Sequence, residues 1–138
     1  MNEEKLVEMA FKARKFSYSP YSNFQVGAAL LAKNGKIYQG CNIESASYTP
    51  TNCGERTAIF KAVSEGVKEF TAIVIVGGPA DALDIDYCFP CGVCRQVMAE
   101  FCEDDFKILL ANSQNQTKVY TLNEILPNRF GPKNLQGE

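Results

Sequence analysis

Between residues 3 and 16 apolar side chains recur at Leu6, Val7, Ala10, Phe11 and Ala13, and the run stops at the turn-prone Ser17-Tyr18-Ser19-Pro20. Spacing of three to four is the stripe of a helix lying on a core, and Phe11 and Phe16 are expected inside it. Residues 24–32 and 36–43 are apolar, strand-like runs separated by Asn34-Gly35, the two-residue turn of a hairpin, so antiparallel neighbours are expected. Helical spacing returns over 53–65, with Ala58, Ile59, Ala62 and Val63 on one face and Gly66 as the stop. Residues 70–76 are almost continuously apolar, as in a strand buried on both faces. A helix over 91–102, a strand over 107–111, a polar turn at 112–116, a strand over 118–122 and a short helix at 123–126 before Pro127 complete the pattern. A strand covered on both sides needs helices above and below it. The expected fold is therefore α/β, a three-layer α/β/α sandwich around a mixed five-stranded sheet. With 138 residues and no repeat or linker-like tract, 1–138 is expected to form one domain.

Charge removes some partners. Fourteen Lys and Arg against sixteen Asp and Glu leave a formal charge of −2, and Lys12, Arg14 and Lys15 are scattered rather than striped. Binding to nucleic acid draws on clustered cations, so no nucleic-acid partner is expected. The N-terminal stretch MNEEKLVEMAFKARKF is charged, and nothing approaches the ~20 apolar residues of a membrane span. The protein is expected to be cytoplasmic, without a membrane partner. Six cysteines accompany no histidine at all. That excludes a Ser-His-Asp triad, a Cys-His dyad and any His-bearing zinc site. A general base must be Asp, Glu, Lys, Tyr or water. In a reducing compartment the cysteines read as thiols or metal ligands rather than disulfides.

Two segments concentrate the chemistry: Cys53-Gly54-Glu55 and Pro90-Cys91-Gly92-Val93-Cys94, each opening an expected helix. Free N–H groups and the helix dipole favour thiolate there, the state that binds metal. Cys91 and Cys94 are three apart and share one side of a first turn, and Cys53 can supply a third ligand from another helix. Three protein ligands leave a fourth position open, as in a catalytic zinc. Glu55 can stand beside the metal and exchange protons with water. Three thiolates around Zn²⁺ leave a formal charge of −1, which Arg56 can offset by hydrogen bonding to a sulfur. Alone, Cys91-x-x-Cys94 also fits a redox dithiol, and a fourth cysteine, Cys88 being nearest, would instead close a structural site. Cys41, Cys88 and Cys102 otherwise read as small core residues, and Lys61, Glu65, Arg95 and Glu100 as solvated or interface charges.

The C-x-E and P-C-x-x-C pair is the zinc deaminase signature in its three-cysteine form. With Pro20-Tyr21-Ser22-Asn23-Phe24-Gln25-Val26-Gly27-Ala28-Ala29, Gly40-Cys41-Asn42-Ile43-Glu44, Cys53-Gly54-Glu55-Arg56-Thr57-Ala58 and Pro90-Cys91-Gly92-Val93-Cys94-Arg95-Gln96, the chain resembles the small homotetrameric cytidine deaminases from its first helix to about Phe130. The resemblance implies hydrolytic deamination of cytidine and deoxycytidine to uridine and deoxyuridine in pyrimidine salvage, with one zinc per chain. It makes Cys53, Cys91 and Cys94 the zinc ligands. Glu55 becomes the proton shuttle, taking a proton from the attacking water, giving one to N3 of the base and protonating the departing amine. It assigns Asn42 and Glu44 to the sugar hydroxyls, two apart on one strand face. Phe24 would pack on the base, Phe130 would be donated by a neighbouring subunit of a homotetramer, and Tyr48 would lie near the subunit boundary. Two positions depart from the family pattern. Gly54 stands where alanine is usual and Phe89 where Ser or Thr is usual; both positions serve through backbone atoms that meet the base, so the chemistry is expected to survive.

Overall fold

The computed structural model describes residues 1–136. Helix α1 (Glu3–Arg14) begins at Asn2, whose side chain accepts from the Lys5 N–H, and carries Glu3 and Glu4 at its positive end with Lys12 and Arg14 at its negative end. There follow β1 (Phe24–Ala32), β2 (Ile37–Cys41), α2 (Gly54–Ser64), β3 (Phe70–Pro79), α3 (Gly92–Phe101), β4 (Lys107–Ala111), β5 (Thr117–Thr121), α4 (Leu122–Ile125) and α5 (Lys133–Gln136). One sheet has the order β2-β1-β3-β4-β5. Only β3 and β4 run parallel, with α3 as the crossover between them; β1 is antiparallel to both of its neighbours and β5 to β4.

The alternation along β3 sorts the core into two. Ala72, Val74 and Val76 meet Leu6, Val7 and Ala10 of α1 on one face; Ile73 and Ile75 join Ile59 of α2 and Met98 of α3 on the other. This is the expected three-layer α/β/α sandwich with a mixed five-stranded sheet.

Several boundaries differ. Helix α1 ends at Arg14, so Phe16 falls beyond it and is 80% exposed instead of entering the core; Phe11 is half-buried against the α1 side. Strand β2 stops at Cys41, before Asn42 and Glu44. Strand β3 continues to Pro79 through Gly77-Gly78, a string that reads locally as a turn. Tertiary packing overrides that reading: a Cβ on Gly77 would lie 2.8 Å from Cys88 Sγ, and one on Gly78 would lie 2.3 Å from Ile85 Cγ2, so only glycine keeps the strand there. Arg14 secures the same end, its Nε donating to Gln25 O at 2.9 Å and its Nη2 to Gly78 O at 3.0 Å. The terminal α5 had no sequence signal.

Gly40 fixes the height of α2 above the sheet. A Cβ there would sit 2.4 Å from the Gly54 carbonyl oxygen and 2.5 Å from the Ala58 nitrogen, both backbone atoms of α2 that cannot swing aside. G40A therefore lifts the start of α2. We expect urea unfolding to show a loss of about 2–3 kcal/mol, the scale of an overpacked core; a midpoint equal to wild type would contradict the close approach.

Candidate active site

The two chemistry-bearing segments become helix starts. Cys53 is the N-cap of α2 and Cys91 the N-cap of α3, both extended in backbone, and neither uses its side chain to cap its helix. Their sulfurs stay available. Cys94 follows on the first turn of α3, buried. The three Sγ atoms lie within 4.8 Å of one another, with Cys53 to Cys91 at 3.7 Å and Cys91 to Cys94 at 3.6 Å. A tetrahedral zinc with Zn–S near 2.3 Å separates its sulfurs by about 3.8 Å, so the triad fits one zinc ion. Among the described residues Cys88 is outside this group, which leaves three ligands rather than a closed set of four.

Cys53 is drawn down to about 5, first by a hydrogen bond from Cys94 and then by Arg56, against the opposing effect of burial. Arg56 Nη2 donates to Cys53 Sγ at 3.3 Å. Cys94 is raised, first by its interaction with Cys53 and then by burial. Cys88 is pushed up to about 12 by burial. Glu55, on the first turn of α2 and 3% exposed, is raised to about 7 by burial, reinforced by the charge on Cys53. The structure thus places a buried carboxyl able to hold or release a proton near neutrality beside the three sulfurs.

Asn42 and Glu44 lie just beyond β2, which ends at Cys41. They lie on an extended segment clamped through Ile43, which exchanges two 2.9 Å backbone hydrogen bonds with Asn52, next to Cys53. On the other side Tyr18 donates to Asn42 O and accepts from Glu44 N. Asn42 is buried: Oδ1 accepts from Val26 N at 2.9 Å and from Ser17 Oγ, while Nδ2 donates to Phe24 O at 2.7 Å. Glu44 Oε1 accepts from the N–H groups of Tyr21 at 3.0 Å and Ser22 at 3.1 Å, and Oε2 accepts from Ser22 Oγ. The Ser22 hydroxyl holds this carboxyl below the usual carboxylate range. Ser17 and Ser22 carried no assignment in the sequence; turn serines have no periodicity, and only the folded loop shows their partners.

The remaining candidates surround these groups. Phe24 opens β1 and is 39% exposed. Tyr48, mostly exposed, has φ +65°, a left-handed backbone uncommon for a bulky residue, and its ring meets Tyr21 edge-on at 6.3 Å. Tyr21, Ser22, Glu44, Tyr48 and Thr51 line a hollow of about 360 Å³. A larger one of about 830 Å³ lies beyond the far end of α3, around Cys102, Asp104, Arg129 and Gly131, the last two flanking Phe130. Gly54 is buried, and a methyl there would meet Val26 Cγ1 at 3.1 Å, so the glycine leaves little spare room. Phe89 turns outward onto Tyr120 at 5.6 Å, and the exposed Phe130 has its carbonyl held by Gln96 Nε2 at 2.8 Å. Arg95 is not a solvated charge: its Nε donates to Pro90 O at 2.8 Å and Nη1 to Ile125 O at 2.7 Å, bracing the cysteine turn. Of the remaining thiols, Cys102 is buried and Cys41 and Cys88 half-buried.

A family model described as the cytidine and deoxycytidylate deaminase zinc-binding region matches residues 1–110. Cytidine deaminases of Sporosarcina psychrophila and Halalkalibacterium halodurans are each 47% identical over 135 residues, spanning 98% of this chain and 96% and 98% of theirs. The crystal structure of cytidine deaminase from Burkholderia pseudomallei superposes with a TM-score of 0.85 at 43% identity, over 94% of this chain and all of the other.

Two outcomes test the site's electrostatics. R56A removes the donor to Cys53, and a chelator competition should then show zinc held about 10- to 100-fold more weakly; unchanged affinity would show that Arg56 contributes nothing to the triad. For Glu55, a folded value near 7 against an ordinary 4.5 makes the protonated form the one that suits the fold. Its contribution is therefore complete below pH 4.5 and is lost as pH rises through 7, at most about 3 kcal/mol. Stripped of metal, E55Q should be more stable than wild type at pH 8, the gap closing by pH 4.5. A gap independent of pH would contradict the burial argument.

Proposed function

We propose, because the chain belongs to the cytidine and deoxycytidylate deaminase family, that it is a zinc-dependent hydrolase converting cytidine and deoxycytidine to uridine and deoxyuridine with release of ammonia. The observation that carries this is the convergence of three sulfurs with one buried carboxyl, that of Glu55, on the first turn of the helix that Cys53 caps. Cys53, Cys91 and Cys94 hold the zinc. Zinc held there supplies Lewis acidity, which makes water nucleophilic at neutral pH.

The chain's own residues do the rest. Glu55 takes a proton from the attacking water and delivers one to N3 of the pyrimidine as the C–O bond forms at C4. It then takes the proton of the new C4 hydroxyl and passes it to the amino nitrogen as the C4–N bond breaks and the C4 carbonyl forms, so that one water is consumed and ammonia leaves. A group near 7 suits both directions of transfer. Arg56 offsets the surplus negative charge of three thiolates. Phe24 packs on the base, and the Gly54 N–H and Phe89 carbonyl meet its carbonyl and amino groups; the outward turn of the Phe89 ring supports a role through the backbone. Asn42 and Glu44 take the sugar hydroxyls, one donating and the other accepting. A carboxylate beside the sugar disfavours a phosphorylated substrate, so a free nucleoside is the substrate and a nucleic acid is not.

Residues 1–138 form one deaminase domain, a reading supported by the single sheet and by relatives that span 98% of the chain. Phe130 and Tyr48 stand exposed at 58% and 71%, consistent with a homotetramer in which each site is completed by a neighbouring subunit. Among the described residues no helix is long and apolar enough to cross a membrane. A cytoplasmic place in pyrimidine salvage is the setting in which we read this activity.

The deciding assay follows cytidine absorbance with purified wild type and E55Q, alongside zinc content. About one zinc per chain in both proteins, with turnover only in the wild type, is the expected result. Zinc bound without turnover of cytidine or deoxycytidine by the wild type would overturn the proposal.

A further inference from the structure

The segment from residue 17 to residue 24 carries two serines, and each meets one of the groups assigned to the sugar. Their situations differ. Asn42 loses little with Ser17, because Val26 N still binds its Oδ1 and Phe24 O its Nδ2. Glu44 is otherwise. Two backbone N–H groups, of Tyr21 and Ser22, fill the two lone pairs of Oε1, and the Ser22 hydroxyl is the one protein donor to Oε2 among the described residues. One lone pair of Oε2 is left. The same hydroxyl accepts from Phe24 N at 3.1 Å, so it ties the carboxylate to the backbone of the residue that opens β1. Asn23, left-handed at φ +56° and donating to Ser19 O at 3.0 Å, closes the loop that delivers Ser22.

We propose that Ser22 is a positioning residue for substrate binding: its hydroxyl fixes which lone pair of Glu44 Oε2 is presented to a sugar hydroxyl and holds that carboxylate in register with Phe24. This rests on the reading of Glu44 as a sugar ligand. It requires no contact between Ser22 and the reacting atoms, so its loss acts on binding and leaves the chemical step alone. Ser17, being redundant, acts far more weakly.

Steady-state kinetics on cytidine with zinc-loaded wild type, S22A, S22T, E44Q and S22A/E44Q test it. S22A should raise KM about tenfold, the scale of one hydrogen bond to a charged group, with kcat within about twofold. S22T, which keeps the hydroxyl, should recover most of the loss. In the E44Q background, S22A should change KM by less than about twofold, because the group it orients is gone. If S22A fails to fold, S22C carries the same expectation, as it keeps the size and loses the strong donor. An unchanged KM in S22A, or an equal loss in both backgrounds, overturns the proposal. E44Q with the KM of an active wild type overturns instead the sugar reading on which it rests, and a wild type inactive on cytidine overturns the proposed function itself.

Discussion

Three sulfurs within 4.8 Å of one another are the constraint on which this fold turns. Two thiolates 3.7 Å apart repel by about 4 kcal/mol even at an effective dielectric of ~20, so the chain cannot hold three bare charges there. The structure answers from several directions. Two helix N-termini point at the cluster, Arg56 donates to Cys53, and the Cys53 thiol is drawn down while that of Cys94 is raised. Much of the surrounding architecture fixes the two helix starts: Gly40 sets the height of α2, and Arg95 braces the turn that opens α3.

Legibility in the sequence followed the range of the forces involved. The hairpin at Asn34-Gly35, the doubly buried β3 and the two cysteine turns are local patterns, set by neighbours within a few residues, and the chain shows them plainly. What was misplaced depends on partners far away. Gly77-Gly78-Pro79 stays in β3 because Ile85 and Cys88 fold over it, and Phe16 is exposed because α1 stops where Arg14 turns to bind the ends of β1 and β3. Spacing and helix starts could single out Cys53, Cys91 and Cys94, but spacing alone left a redox dithiol and a fourth cysteine open. Asn42 and Glu44 could be named from the resemblance, yet their support could not: the donors that hold Glu44 are more than twenty residues earlier, in a turn without periodicity. Arg95 failed for the same reason, since its carbonyl partner at Ile125 is thirty residues away.

Burial of Glu55 joins stability to function. A carboxyl 3% exposed is costly to ionise, and the cost raises its proton affinity toward neutrality. Solvating it would relieve the fold and return it to an ordinary carboxylate, a far weaker proton donor at pH 7. The same burial that strains the metal-free chain therefore keeps a proton on Glu55 at a pH where an exposed carboxyl has lost it.

The Glu44 loop and the cysteine cluster are linked through a single pairing register, that of β1 with β3. Phe24 stands opposite Pro79 at one end of the β1–β3 ladder, and the chain beyond Pro79 leads to Cys91 and Cys94. On β1 the same end leads back through Ser22 to Glu44. Because side chains alternate along a strand, a slip of one residue in this ladder would turn Phe24 to the opposite face and carry the Ser22 hydroxyl with it. Arg14 opposes such a slip by binding Gln25 O on β1 and Gly78 O on β3 with one guanidinium, a fork whose spacing matches one register. The separation of the Glu44 carboxylate from the cysteine cluster is thus tied to the pairing of β1 with β3.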